Sequence, residues 1–379
     1  MACDYDFMLT EEQIELRDMV REFAQKEIKP RCRVAERDAI VPEDLVEKAM
    51  GMGLNLMTLP EEYGGLGLDN LTIAILREEL AKGDAAFASR IMGFGFAPVK
   101  IAGNEWQKQY VADIFLNGGI MAFGLTESGA GSNAVAMSTT ARKEGDEYII
   151  NGGKTFITNG DCADVITIFA VTDKDKGSKG ITAFLLPKDT PGFSVGEHED
   201  KMGIRCVHTN SLFFDDMRLH EKYRLGEEGE GFKIAMKILD DSRPCTAASA
   251  VGIAQAAIEE AIAYSKTRVV GGKPICDQQV IAFMLADMEI QTQAARQLVW
   301  GACRSADAGI VNKKLISAAK CFAGDNAVKV ATDAVQVFGG NGYSREYPVE
   351  KLMRDAKIYQ IFEGTNQIHR GILSRILLR

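Results

Sequence analysis

Apolar positions recur every three to five residues through Val20, Phe23 and Ile28, the spacing of an amphipathic helix. Thr10 to Gln13 fits a capping box at its start, with Leu9 and Ile14 placed as a hydrophobic staple. Pro30 should end or kink this helix, and Val41-Pro42-Glu43 opens a second one through Leu45 and Ala49. Glycines mark 60–67 as a loop. Helical spacing returns at Asn70 and, broken around Gly93 to Pro98, runs to about Phe115.

Near Met121 the pattern changes. Tyr148-Ile149-Ile150, Asn151-Gly152 and Thr155 to Thr158 read as strand, turn and strand. Val165 to Val171 and Ile181 to Leu186 are branched and aromatic runs of the kind that form buried strands, with shorter strands at Gly192 to Gly196 and Ser211 to Phe214. After Gly231 helical spacing resumes. Ala247 to Arg268 is Ala-rich and expected to be buried on most sides, and Gln279 to Ala306, Asn312 to Phe338 and Gly364 to Leu378 read as further long helices. A helical, β, helical block order predicts separate layers instead of alternating βαβ units, with domains at 1–120, 121–232 and 233–379.

The 379 residues, 46% hydrophobic, suffice for more than one domain. A net charge of -9 with no Lys/Arg tract argues against nucleic acid as a partner. No apolar run reaches membrane-spanning length, and the first residues read as short and polar, without a targeting segment. Eight scattered Cys without a CxxC, and only four His, point to reduced thiols, no metal site and a cytoplasmic compartment.

Gly129-Ala130-Gly131-Ser132-Asn133-Ala134 matches the G-x-G-x-x-A dinucleotide fingerprint. That fingerprint requires a preceding strand and a following helix. Here Met137 to Ile150 reads as strand, so the glycines are better read as a turn or a loop lying against a cofactor.

Five segments in order carry a family resemblance: 125–132 (LTESGAGS), 154–160 (KTFITNG), 225–232 (LGEEGEGF), 336–343 (QVFGGNGY) and 359–367 (YQIFEGTNQ). Together they identify the chain as similar to the FAD-dependent acyl-CoA dehydrogenases, especially the medium- and short-chain branch. The resemblance implies an N-terminal helical bundle, a β-barrel-like middle domain and a C-terminal four-helix bundle. It implies a homotetramer built as a dimer of dimers, and electron-transferring flavoprotein as electron acceptor.

The resemblance makes Glu363 the catalytic base that takes the α-proton of an acyl-CoA, with hydride passing from Cβ to the flavin. Ile361 and Phe362 before it suit a desolvated carboxylate, and Gly364 allows close approach of substrate. It assigns Leu125, Thr126, Gly131, Ser132, Phe156 and Thr158 to the flavin, with Ser132 also near substrate. Arg268, Gln279, Gln336, Gly339, Gly340, Thr365 and Gln367 become further FAD contacts, some reaching a neighbouring subunit's cofactor. Asp240 and Arg243 match positions near the CoA tail, although Arg243 could equally be a structural partner of an Asp. Phe156 stands where relatives carry Trp, Ser128 for Pro, Asn133 for Asp and Gly271 for an aromatic residue.

The segment Arg90 to Phe96 departs most from relatives. Its glycines could widen the acyl pocket for a branched, cyclic or aromatic group, or form a neutral loop. Arg90 could hold the distal carboxylate of a glutaryl- or substituted succinyl-CoA, or face solvent. The same residues would serve a 2-enoyl-CoA reductase, and a non-catalytic flavin or acyl-CoA binder on this fold is a third reading.

Overall fold

The structure, a computed structural model, describes residues 5–378; Met1 to Asp4, Cys3 among them, and Arg379 lie outside the described residues. Thr10 caps α1 (Glu11–Phe23): its Oγ1 accepts from the Gln13 N–H at 3.2 Å, and Gln13 Oε1 accepts from the Thr10 N–H at 3.1 Å. The ladder then loosens into a π-turn at Ala24–Ile28 and tightens into a 3₁₀ turn at Lys29–Arg31. Pro30 cannot donate to the preceding turn, which accounts for this re-spacing. Helices α2 (Cys32–Asp38) and α3 (Glu43–Gly51) follow, then α4 (Asn70–Met92), α5 (Ala97–Ala102) and α6 (Glu105–Leu116).

Helix α4 is broken internally. Asp84 is extended (φ -162°, ψ 121°), and its Oδ1 accepts from the Ala86 N–H at 2.7 Å, capping a second helical segment. Asp84 also lies 3.2 Å from Lys351 Nζ in the buried interior. Lys351 pairs in turn with Asp355, which accepts from the Ile204 N–H at 2.6 Å. One buried charged cluster thus ties the N-terminal helices to the strand region and to the C-terminal helices.

The middle segment is an eight-stranded sheet of order β6-β7-β3-β2-β4-β5-β8, with β1 paired to β4 in parallel. The strands are β1 (Met121–Gly124), β2 (Thr140–Glu144), β3 (Glu147–Thr158), β4 (Val165–Val171), β5 (Ile181–Pro187), β6 (Phe193–His198), β7 (Thr209–His220) and β8 (Arg224–Leu225). Two expectations change here. The expected strand, turn and strand around Asn151-Gly152 is the single strand β3, bent at Gly152, where φ is 134° and the register against β7 shifts. A Cβ at Gly152 would stand 2.8 Å from the Thr139 backbone, so glycine serves a close crossing and not a hairpin tip. The turn instead lies between β2 and β3, at Gly145, within the stretch expected to be one strand.

Behind the sheet stand α7 (Gly231–Thr267), α8 (Gln279–Asp307), α9 (Lys313–Phe338), α10 (Val349–Ala356) and α11 (Asn366–Leu378). Small residues let α4 and α7 pack closely: a Cβ on Gly252 would stand 2.4 Å from the carbonyl oxygen of Glu78. Glu78 also receives Arg296 of α8 at 2.7 Å. Among the described residues no helix is long and apolar enough to cross a membrane.

Candidate active site

A cavity of about 300 Å³ opens where α4, the sheet and α7 meet. Its walls are Arg77 and Ser89 of α4, the Gly93–Phe94 turn, the loop from Leu125 to Val135, and Phe156 to Thr158 of β3 with Asn159 just beyond it. Helix α7 adds Phe232, Met236, Leu239, Arg243 and Thr246, and the far wall is Phe362, Glu363, Gly364 and Ile368. The Gly93 and Gly95 backbones have φ of 37° and 56°, and this tight turn stacks Phe94 on Phe123 at 4.5 Å.

Glu363 sits between the 3₁₀ turn Lys357–Gln360 and α11 in a left-handed conformation (φ 57°), followed by Gly364 at φ 92°. Such a backbone persists only where surroundings hold it. They do: the Glu363 carbonyl accepts from Arg243 Nε at 3.0 Å and His369 Nε2 at 3.2 Å, and the Gly364 carbonyl accepts from Lys320 Nζ at 2.6 Å. Burial among positive neighbours lowers the His369 pKa to about 3, so its imidazole is neutral and donates from Nε2.

The Glu363 carboxylate faces the cavity and accepts from Ser242 Oγ at 2.9 Å and Thr246 Oγ1 at 3.4 Å. Desolvation raises its pKa, against the Ser242 hydrogen bond and the charges of Arg243, Arg77 and Lys320. Desolvation also brings Lys320 down to about 8, although the Glu363 charge works the other way. The Glu363 backbone N–H makes no hydrogen bond among the described residues.

The loop after β1 is anchored by a buried ion pair. Glu127 Oε1 lies 2.6 Å from Lys154 Nζ of β3, and the other Glu127 oxygen accepts from the Ser138 N–H at 2.6 Å. The Thr155 N–H donates to the Thr126 carbonyl at 2.9 Å, fixing the loop beside Phe156. Phe156 has φ 58°, lies where the β3–β7 register shifts, and is 63% exposed. With Leu125, Thr126 and Thr158 it offers an aromatic face suited to a flat conjugated ring.

The sequence-predicted residues fall into two groups. Leu125, Thr126, Gly131, Ser132, Phe156, Thr158, Arg243, Glu363 and Gly364 line the main cavity. Arg268, Gly339 and Gly340 line a separate groove of about 340 Å³ with Tyr264, Phe338 and Asn341, where a guanidinium and exposed glycine backbone suit an anion such as pyrophosphate. Gln279, Gln336 and Gln367 are exposed, Thr365 is half-buried, and none of the four lines either space.

Arg243 lines the cavity and is also tied into the fold: besides the Glu363 carbonyl it holds Asp240 Oδ1 at 2.7 Å, the structural pairing that stood as the alternative to a CoA contact. Arg90 does not line the main cavity. It borders a small separate one with Asn55, Phe115 and Asn159, and its Nη1 is buried without a partner. One helical step of about 100° separates it from Ser89, which faces the main cavity.

Sequence reasoning missed Arg77, Ser242, Thr246, Lys320 and His369. Ser242 and Thr246 stand one turn apart on α7, a spacing that marks a shared face but not the face toward a cavity. Arg77, set among Ile73, Leu76 and Leu80, was the most legible of them. Among the described residues no three His, Cys, Asp or Glu side chains gather as a metal site.

Family models match along the chain: "Acyl-CoA dehydrogenase, N-terminal domain" at 10–118, "middle domain" at 122–217 and "C-terminal domain" at 229–378. An acyl-CoA dehydrogenase of Bacillus subtilis is 45% identical over 374 residues, 98% of this chain and 99% of that one. The structure of butyryl-CoA dehydrogenase from Megasphaera elsdenii superposes with a TM-score of 0.95 at 43% identity, covering 100% of each chain. A chain from a structure described as the electron transferring flavoprotein of Acidaminococcus fermentans gives 0.95 at 46% identity, covering 98% of this chain and 99% of that one.

Proposed function

This chain belongs to the acyl-CoA dehydrogenase family, and we propose that it removes hydrogen from the Cα–Cβ bond of an acyl-CoA thioester with Glu363 as base. The observation that carries this is the desolvated Glu363 carboxylate in a cavity that Phe156 also lines.

The family is FAD-dependent, and the residues present fit that cofactor. Leu125, Thr126, Phe156 and Thr158 would hold its ring system, with Gly131 and Ser132 at the margin. FAD, when bound, accepts the hydride that leaves Cβ. The protein's part is proton abstraction and charge stabilisation. A carboxylate taken out of water is a stronger base, and Ser242 and Thr246 steady it in one orientation. The unengaged Glu363 N–H is available to the thioester oxygen, where negative charge grows as the α-proton leaves. Arg243, His369 and Lys320 hold the backbone that presents both base and N–H. The same groups serve the reverse reduction of a 2-enoyl-CoA. A non-catalytic binder would have no use for this arrangement.

The Arg268 groove lies apart from the Phe156 wall within one chain. Val280, Phe283 and Ile290 on the neighbouring face of α8 are each more than 60% exposed. Apolar exposure on this scale fits a subunit interface, and a homotetramer would let the Arg268 groove of one copy meet the FAD of another. Reduced flavin would pass its electrons to an electron-transferring flavoprotein, the molecule named with one of the solved relatives.

The test is anaerobic titration of the FAD-loaded protein with butyryl-CoA, following the flavin band. Wild type should bleach. Glu363→Gln should retain FAD and the ligand-induced spectral shift but bleach about 100- to 10,000-fold more slowly, the range expected for loss of a general base. Bleaching by the variant at near wild-type rate would remove Glu363 from the mechanism.

A further inference from the structure

We infer that Ile204 is a specificity-determining residue: its side chain, held on a strained loop, bounds the acyl space of the cavity and limits the length of chain that Glu363 can serve. This rests on the dehydrogenation reading above. Ile204 lies between β6 and β7, is 5% exposed, and lines the same cavity as Glu363. Its backbone is left-handed, with φ 43°. That conformation is costly for a β-branched residue, whose two Cγ substituents crowd the backbone. Glycine would adopt it without the cost.

The loop is fixed on both sides of Ile204. Gly203 before it serves close packing, since a Cβ there would stand 2.5 Å from the Arg354 backbone carbonyl. Arg354 Nη1 of α10 donates to the Met202 carbonyl at 2.8 Å, and Asp355 Oδ1 accepts from the Ile204 N–H at 2.6 Å. Glu36 Oε2 of α2 accepts from the Arg205 N–H at 3.3 Å. Asp355 is itself buried, 1% exposed, and paired with Lys351. The fold thus commits a buried charged group to keep a bulky side chain where glycine would sit freely. Strain maintained in this way points to a use for the side chain, and the cavity is what Ile204 lines.

The surroundings of the loop put Ile204 on the acyl side. Asn159 ties the loop to α4: its N–H donates to the His208 carbonyl at 3.0 Å, and its Nδ2 to the Ser89 and Arg90 carbonyls at 3.4 and 3.3 Å. Cys206 and Phe87 of α4 line one small void beside Asp84. Ile204 accordingly belongs to the apolar core of α4 and α7 that includes Phe87, Ile91 and Ala250 and packs against Phe362, the residue before the base. Leu125, on the flavin wall, belongs to a separate core. An acyl chain whose Cα meets Glu363 therefore extends past a wall of which Ile204 is a fixed part. A loop held at three backbone groups cannot yield easily, so added methylenes meet overpacking instead of space.

The experiment measures kcat/KM for butyryl-, hexanoyl- and octanoyl-CoA with FAD-loaded wild type, Ile204→Val, Ile204→Ala and Ile204→Gly, together with the FAD each retains. Wild type should favour butyryl- over octanoyl-CoA. Ile204→Ala and Ile204→Gly should raise the octanoyl-to-butyryl ratio about 10- to 100-fold, the scale of a methylene or two in an apolar pocket, with FAD retention unchanged. Ile204→Val should move the ratio the same way by less. Glycine suits the left-handed backbone and valine lacks one methylene, so these two keep the test open if Ile204→Ala fails to fold. A wild type that takes octanoyl- as well as butyryl-CoA overturns the inference. So do folded variants whose ratio stays at the wild-type value. Loss of FAD with the ratio unmoved also overturns it, by assigning Ile204 to the flavin. In each of these cases butyryl-CoA still bleaches the wild type and the dehydrogenase reading stands. No bleaching by any thioester overturns both together.

Discussion

Arg243 holds Glu363 by its backbone and not by its carboxylate: Nε donates to the Glu363 carbonyl at 3.0 Å while Nη1 grips Asp240 at 2.7 Å. A direct ion pair would have stabilised the charged base and weakened it. Placing the guanidinium on the carbonyl fixes the left-handed turn and leaves the carboxylate to two hydroxyls. Arg243 is thus a positioning residue. Arg243→Met should lower the rate of flavin reduction about 100-fold with FAD still bound. It also leaves Asp240, among the described residues, with only Lys313 at 3.5 Å, and stability should fall by about 2–4 kcal/mol. Rapid-reaction absorbance and thermal melts read the two effects separately. Arg243→Lys, which keeps the charge but not the fork, should recover more stability than rate.

The pH profile follows from Ser242. Its hydroxyl donates to the ionised carboxylate and so holds the Glu363 pKa down against desolvation. Ser242→Ala removes that support, and the pKa must rise. Because the base works deprotonated, the acid limb of kcat/KM should move to higher pH, with the plateau at high pH reached later. An unmoved limb would mean that a different group titrates.

Glu363 should also weaken the fold. Its folded pKa is raised, so protonation stabilises the native state; this contribution is full below the ordinary Glu value and lost as pH climbs through the folded value. At neutral pH the fold therefore carries a desolvated charge. Glu363→Gln should melt a few degrees higher at pH 8, with the difference closing at pH 4. Paired melts across pH check it.

Arg268 and Phe283 test the assembly. Arg268→Met should leave the subunits associated but retain FAD about 10-fold less tightly, as expected for one phosphate contact. Phe283→Asp puts a charge on the exposed face of α8 and should lower the sedimentation coefficient and the FAD content together. Loss of association without loss of FAD would show that each chain holds its cofactor alone.

The helical, β, helical order was legible because periodicity reports which face of each element is buried, and the Thr10 capping box was legible because it is local. Asn151-Gly152 misled for the same reason. Its dipeptide is a turn signal, but the approach of Thr139 and the pairing of Leu212 to Phe214 make it a bend within one strand. Glu363 could be found from its motif. Its surroundings could not, since Ser242, Lys320 and His369 come from separate helices, and their convergence is a tertiary fact. Arg90 and Arg77 show the same limit. The extended Asp84 resets the phase of α4, so counting residues along the helix cannot tell which arginine meets the cavity.

The Glu127–Lys154 pair is where stability and cofactor binding should prove inseparable. Both side chains are almost fully buried, at 5% and 0% exposure, and the pair joins the loop at Thr126 to the strand bearing Phe156. The Lys154 charge and the hydrogen bonds from Ser138 and Thr139 outweigh desolvation and lower the Glu127 pKa to about 2. The stabilisation is therefore present above the ordinary Glu value and lost only as pH falls toward 2. Lys154→Met strands a buried carboxylate and should destabilise the protein by about 3–5 kcal/mol, with loss of FAD as the loop loosens. Glu127→Gln with Lys154→Met removes both charges while keeping one acceptor oxygen for the Ser138 N–H, at the loss of the longer Thr139 bond. The double variant should recover most of the stability. If it recovers FAD as well, the pair acts by holding the loop in place. If stability returns and FAD does not, the charges themselves contribute to binding the cofactor.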